Sequence, residues 1–166
     1  MKHRITYRNL PQLFLKAREC LMSHFRPILN HFGVTEQQWR ILRMLDERGQ
    51  LEPRELCDLC QIQSPSMAGV LARMEDMGLV RRARLPEDQR RVMVRLAPKG
   101  DRLIAEIAPL IDAQYDEIEK TFGKLAINAL FASLEAFIEA NESPVPAVEL
   151  PSAGERRKAG RRSEKS

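Results

Sequence analysis

The chain has 166 residues, a formal net charge of +4, 43% hydrophobic, 30% charged and 5% aromatic residues, and three cysteines. That length supports one domain, or a core with an appended tail; no apolar run approaches a membrane span, and the opening MKHRITYRNL lacks the apolar stretch of a signal peptide, so a cytoplasmic protein with no membrane partner is expected. An odd cysteine count fits a reducing compartment rather than a disulfide framework, and the low aromatic content argues against a stacking platform for single-stranded nucleic acid.

Residues 11–32 have helical periodicity, with Phe14, Leu21, Phe25, Ile28 and Phe32 as the apolar stripe and Pro27 placed to kink or break the helix. Arg18 and His24 share that stripe or its margin. A core-facing arginine needs an anion, from a partner chain or a ligand, unless it snorkels or forms a salt bridge; His24 is a ligand-facing group or a satisfied core histidine. Thr35-Glu36-Gln37-Gln38 is a capping box with Val34 and Trp39 as its hydrophobic staple, and it opens a helix to about Arg48 carrying Trp39, Ile41, Leu42, Met44 and Leu45. Trp39, the only tryptophan, either fills the staple or lines a pocket. Gly49 ends this helix. Gln50-Leu51 reads as a short edge strand, and Pro53 to Cys60 as a short helix with Leu56 and Leu59 turned inward. Its Cys57-x-x-Cys60 has no second pair or nearby histidine to complete a zinc site, so no metal is expected and both cysteines read as core fillers.

Gln61-Ile62-Gln63 is a tight link into SPSMAGVLARMEDMG, where Met67, Val70, Leu71, Met74 and Met77 recur at helical spacing. Ser64 is placed to cap this helix, Pro65 to occupy its first position and Gly78 to close it, while Ser66, Gly69 and Arg73 lie on the opposite face. The period then becomes two. Residues 79–84 and 91–96 predict strands joined by a charged turn over 85–90. Residues 81–95 hold six arginines against Glu87 and Asp88, a net of +4 in fifteen residues. Arginine's planar fork suits phosphates and guanine edges, although a solvated, edge-protecting hairpin is the plain alternative.

Two short helices joined by a tight turn, with a basic hairpin behind, predict a mainly α fold with a small β-hairpin wing, a winged helix-turn-helix. The second helix would enter a major groove of double-stranded DNA. Gln63, Ser64, Ser66 and Met67 are the candidates for base edges, with Arg73, Arg84, Arg90 and Arg91 for phosphate or minor-groove contact. Residues 98–121 and 125–140 predict two further helices, lined by Leu103, Ile107, Leu110, Ile111, Gln114, Tyr115 and Ile118, and by Leu125, Ile127, Leu130, Phe131, Leu134, Phe137 and Ile138. The winged unit cannot cover so much apolar surface. Either a helical subdomain folds within one chain, or a homodimer bundle sets two recognition helices ~34 Å apart. The expected organisation is a dimerisation helix at 10–32, the winged unit at 33–97, dimerisation helices at 98–142 and a basic, disordered tail at 143–166, whose net charge is +3.

An enzyme is not expected: the three histidines (His3, His24, His31) lie in the first 31 residues, no glycine-rich phosphate loop occurs, no serine has a nucleophile context, and no cofactor is implied. Gly78-Leu79-Val80-Arg81-Arg82 leaving the recognition helix, Asp88-Gln89-Arg90 at the wing, and Val94-Arg95-Leu96 with Gly100 resemble the MarR family of bacterial winged-helix regulators over residues 10–141. One departure is Ala97, where the family usually has a threonine that caps the next helix. The run ARECLMSHFRPILNHFGVTEQQWRILRML is similar to the subgroup of repressors controlling homoprotocatechuate (3,4-dihydroxyphenylacetate) and related aromatic-acid degradation. The resemblance implies a homodimeric repressor on a pseudo-palindromic operator, released by a small aromatic or pyridine carboxylate bound between the dimer helices and the winged unit. It also carries the wing's Asp and Arg to Asp88, bracing the wing, and Arg90, on DNA. Candidates for the effector site are Arg18 or Arg40 for the carboxylate, His24 or His31 for a ring substituent, and Trp39 as a wall. Two rival readings stay open: thiol-based redox sensing through Cys20, one helical turn from His24, and a winged protein-assembly module without sequence-specific DNA binding.

Overall fold

The computed structural model describes residues 4–85, 87–141, 143 and 145–150. The basic run from Arg156 to Lys165, and with it most of the predicted tail, lies outside the described residues. Six helices and three strands follow one another among the described residues: α1 (Leu10–His31), α2 (Glu36–Arg48), β1 (Gln50–Leu51), α3 (Pro53–Cys60), α4 (Ser64–Asp76), β2 (Val80–Arg84), β3 (Val92–Leu96), α5 (Pro98–Phe122) and α6 (Lys124–Ala140). The strands form one antiparallel sheet in the order β1-β3-β2, with Leu51 opposite Val94 and Val80 opposite Leu96. This is the winged helix-turn-helix expected from the periodicities. Contacts divide the chain into two units, residues 1–121 and 122–166.

The core of the first unit follows from the stripes. Ile41, Leu42 and Leu45 of α2, Leu56 of α3, Met67, Leu71 and Met74 of α4, Leu79, Val94 of β3 and Ile107 of α5 are each at most 1% exposed. At roughly 1.5–3 kcal/mol per fully buried side chain of this kind, these positions dominate the stability of the winged unit. The capping box forms as read: the Thr35 amide donates to Gln38 Oε1 at 2.9 Å and the Gln38 amide to Thr35 Oγ1 at 3.2 Å. Gln38, although 5% exposed, stays satisfied because Nε2 also reaches Met77 Sδ. Gly78 closes α4 in the left-handed region (φ +73°), and the Leu79 amide returns to the Met74 carbonyl at 2.8 Å.

Several expectations shift. Helix α1 runs unbroken through Pro27, whose missing amide removes one bond of the ladder without ending it. Only Phe25 and Leu29 of α1 are buried, whereas Phe14 and Leu21 are exposed; the predicted stripe is filled only toward its C-terminal half, where α2 and Tyr115 of α5 lie against it. On α3, Leu59 is exposed and Cys60 buried: both lie about one turn from Leu56, and the packing takes the i+4 side. Ser64 does not cap α4: the N-cap is Gln63, Ser64 is the first helical residue and Pro65 the second, and no side chain caps the end. Met77 lies beyond the last turn and is partly exposed. Helix α5 buries Gly100, Ile104, Ile107, Ile111 and Ile118, with Leu110 turned outward. In the second unit, α6 has no buried residue. No single helix among the described residues is long and apolar enough to cross a membrane.

Gly100 joins the wing to α5. A Cβ on it would lie 2.1 Å from the Leu79 carbonyl oxygen, a backbone atom that also accepts the Ala97 amide at 3.0 Å. Gly100→Ala must therefore part α5 from the start of the wing, and a loss of about 1–3 kcal/mol or more is expected, as for overpacked cores. The urea midpoint of the variant should fall accordingly, while helical circular dichroism in water persists. An unchanged midpoint would show that the contact is not tight.

Candidate nucleic-acid interface and adjoining cavity

Burial of one face of α4 decides which of its residues can meet a partner. Ser64, Ser66, Ala68, Gly69, Ala72 and Arg73 are exposed, as is Gln63 before them. Met67 is 1% exposed and belongs to the buried stripe with Val70, Leu71 and Met74; it cannot touch a base edge, which corrects its place among the candidates. Ala68 and Ala72 complete the outer face and were legible as the complement of that stripe. A Cβ on Gly69 would meet only Arg73 Nη1, at 3.9 Å, so this glycine is not required by packing within the chain. The α4 start lacks a side-chain cap, which leaves its first-turn amides able to meet a phosphate.

The hairpin's arginines divide into two groups. Arg82 is held by Glu75 at the end of α4, with Nε to Oε2 at 2.8 Å, and the pairing keeps the Glu75 carboxyl below its ordinary range. Arg91 pairs with Glu52 just ahead of α3, which raises its already high pKa. Arg73, Arg81, Arg84, Arg90 and Arg95 are exposed and pair with no carboxylate among the described residues. Arg81 and Arg95 stand directly opposite each other across the β2–β3 ladder, a like-charge pair that an anion would relieve. At the turn, Asp88 Oδ1 accepts the Arg90 amide at 3.0 Å and the Leu85 amide donates to the Arg91 carbonyl at 3.1 Å, so Asp88 fixes the loop that presents Arg90.

Behind the recognition unit lie two adjoining hollows of about 200 and 260 Å3 that share Trp39, Arg43, Ile111 and Tyr115. The first is walled by Leu21, Met22, Phe25, Met44, Leu59 and Cys60, with Arg40 as its second cation. The second adds Asp46, Glu47, Ile104, Ala108 and Asp112. The Phe25 and Tyr115 rings pack with centroids 4.7 Å apart. Burial works against the charge on Arg43, but Glu47, with Oε1 3.1 Å from Nε, and Tyr115 outweigh it and raise the pKa. Arg40 Nη1 donates to the Cys60 carbonyl, while its Nε is buried with no acceptor. Burial pushes the Cys60 thiol up, with Arg40 opposing.

Among the remaining candidates, Arg18 finds its anion within the chain: Nη2 lies 2.7 Å from Glu36 Oε2. Arg26 bridges Glu36 and Glu19, each at 2.8 Å, and the hydrogen bonds from Arg18 and Arg26 hold the Glu36 carboxyl below its ordinary range. His24, His31 and Cys20 are exposed, and neither Arg18 nor either histidine lines the hollows. Trp39 and Arg40 do, so Trp39 serves both the helix start and the cavity wall. Arg43 and Tyr115 were missed as site residues. Arg43 lies one helical turn after Trp39, and Tyr115 follows Ile111 by one turn, so facing positions carried the signal. Among the described residues no group of three or more His, Cys, Asp or Glu side chains could hold a metal.

Residues 34–92 match the MarR family. The HTH-type transcriptional regulator FarR of Neisseria gonorrhoeae is 42% identical over 132 residues, 78% of this chain and 90% of that protein. The homoprotocatechuate degradative operon repressor of Escherichia coli is 39% identical over 129 residues, 78% of this chain and 87% of that one. Among solved structures, NadR in complex with 4-hydroxyphenylacetate is 39% identical with a TM-score of 0.73, covering 82% of this chain and 97% of that chain.

The cavity wall makes a prediction about thiol chemistry. At neutral pH an alkylating reagent should modify exposed Cys20 first and Cys60 last, with Cys60 accelerating only as the solution becomes alkaline. Site-resolved mass spectrometry over time reads this directly. Equal rates for the two would show that the wall around Cys60 opens freely.

Proposed function

The chain belongs to the MarR family, and from that premise we propose that it is a homodimeric transcriptional repressor released from its operator by a small aromatic carboxylate, controlling an aromatic-acid catabolic operon. One juxtaposition carries the reading: an arginine- and aromatic-lined cavity adjoins the carbonyl that ends α3, immediately ahead of the recognition helix. The relatives fit it, since one is the repressor of the homoprotocatechuate degradative operon and NadR forms a complex with 4-hydroxyphenylacetate.

In this reading the outer face of α4 enters the major groove, with Gln63, Ser64 and Ser66 toward the bases and Arg73 toward a phosphate. Arg84 and Arg90 reach along the wing, while Arg91, tied to Glu52, braces it together with Asp88. The second copy covers apolar surface that a single chain leaves open: Leu10, Leu13 and Leu15 on α1 and, separately, Leu125, Leu130, Phe131 and Ile138 on α6. The effector's ring lies against Trp39, Phe25 and Tyr115, and its carboxylate meets Arg40 and Arg43. Arg18 is occupied by Glu36, so the anion's charge is assigned to the arginines of the cavity instead. Asp112 and Asp46 in the second hollow are acceptors for a ring hydroxyl, which favours hydroxylated arylacetates. Release requires that the ligand bind more tightly to a dimer whose recognition helices no longer match both half-sites.

The test is a gel shift on the DNA upstream of the protein's own gene with excess nonspecific competitor, alone and with hydroxylated benzoates, phenylacetates and pyridine carboxylates. A competitor-resistant shift reversed by one of these acids is the expected result. A resistant shift that no acid reverses would favour sensing through Cys20, and binding that competitor abolishes would favour protein assembly. In the same assay Arg90→Ala should weaken binding to all DNA and lower the slope of log affinity against log salt by about 1, without unfolding the protein. Unchanged affinity at every salt concentration would remove Arg90 from the interface.

A further inference from the structure

Arg40 belongs at once to the cavity and to the turn of the helix-turn-helix. It is half-buried on α2 and lines the first hollow. Its Nη1 donates to the carbonyl of Cys60, the last residue of α3. The next residue, Gln61, is the one non-glycine with positive φ among the described residues (φ 51°, ψ 50°), and α4 begins three residues later at Ser64. A glutamine held in the left-handed region stores strain that its surroundings must offset. Here they do so through the Ile62 amide on the Cys57 carbonyl, Gln61 Nε2 on the Asp58 carbonyl, and Arg40 on Cys60. Of these three, only the Arg40 contact comes from outside the turn and its own helix.

The guanidinium is planar and rigid, so its donors move together. Nη1 is committed to Cys60, whereas Nε is buried without an acceptor. Leaving a buried donor unsatisfied is unfavourable, so a carboxylate that enters the hollow and parts the side chains packed over Nε completes the Nε–Nη2 fork edge, which pairs a carboxylate side-on. A carboxylate arriving there gains a charge-assisted pair and sets the plane of the whole group. The Nη1–H then either carries the Cys60 carbonyl with it or leaves it, and each outcome alters the anchor of the strained turn that aims α4.

We propose that Arg40 is the positioning residue that couples effector binding to the recognition helix: one edge of its guanidinium receives the carboxylate, and the other holds the α3–α4 turn. Arg43 then supplies affinity for the same carboxylate, while Arg40 supplies the response. The inference rests on the effector reading above and assigns it a route.

Arg40→Lys keeps the charge but removes the fork, so one ammonium cannot serve the carboxylate and the Cys60 carbonyl in the same fixed geometry. The full-length protein is titrated with 4-hydroxyphenylacetate, following Trp39 fluorescence, and its operator affinity is measured with and without saturating ligand. For the unaltered protein a tenfold or greater loss of DNA affinity at saturation is expected. Arg40→Lys should still bind the ligand, within about tenfold, but lose less than twofold in DNA affinity when saturated. Because a variant can fail to fold, amide hydrogen exchange over residues 58–64 of the unaltered protein supplies a second readout, and it should change when the ligand binds. Release by Arg40→Lys to the same extent as the unaltered protein, or exchange in that segment indifferent to ligand, overturns the coupling and leaves the effector reading standing. Absence of ligand binding by the unaltered protein overturns both.

Discussion

The burial of the α4 stripe is the constraint on which the rest of this molecule depends. Met67, Val70, Leu71 and Met74 are each no more than 2% exposed, and a helix of thirteen residues with four such positions has no freedom of rotation. Its outer face is thereby fixed as Ser64, Ser66, Ala68, Gly69, Ala72 and Arg73. Small side chains on that face are a consequence with functional weight, since they let the helix backbone approach a groove. The same burial places the α4 end beside the wing, where Glu75 takes Arg82 and Gly78 redirects the chain into β2.

Electrostatics builds on that frame by sorting the arginines. Arg82 and Arg91 are neutralised locally, and exposed pairs of this kind contribute little stability; what they fix is where the hairpin stands relative to α4 and α3. Arg81, Arg84, Arg90 and Arg95 are exposed and meet no carboxylate among the described residues. A hairpin that sets Arg81 against Arg95 is poorly arranged as a free-standing ribbon and well arranged as one facing a polyanion. The plain reading of the wing as a solvated, edge-protecting hairpin explains Arg82 and Arg91 but leaves this cross-strand pair without a reason.

Most of the fold was legible because period and punctuation agree. The Thr35–Gln38 capping box, Gly49, Pro53 and Gly78 bound their elements to within a residue or two, and the change of period after Gly78 marks the wing. What spacing mistakes or leaves open is physical. Met67 satisfies both the stripe and the leading-edge position, and spacing alone cannot say that burial wins. Leu59 and Cys60 both lie about one turn from Leu56 and hydrophobicity favours Leu59, yet it is Cys60 that the packing buries. Arg18 reads either as a cation in search of a ligand or as one salt-bridged within the chain, and spacing cannot choose because its partner, Glu36, lies eighteen residues away on another helix. For the same reason Tyr115 could not be joined to Trp39: a cavity between α1, α2, α3 and α5 is a property of packing, and no single periodicity contains it.

That cavity owes its chemistry to α2. Thr35 and Gln38 fix where the helix starts, which places Trp39, Arg40 and Arg43 on the cavity side while Ile41, Leu42 and Leu45 fill the core of the winged unit. On the proposed reading, a helix that shares its two faces between an effector cavity and the core of the winged unit transmits by rigidity, because a packed core does not deform continuously. Of the two arginines, Arg43 is answered by Glu47 on its own helix and by Tyr115 of α5, neither of which belongs to the α3–α4 turn. Arg40 is answered by a carbonyl of the turn, so any demand placed on its guanidinium is a demand on the direction of α4. On the proposed reading, the difference between affinity and response comes down to which of two neighbouring arginines has its other partner on the turn that leads into α4.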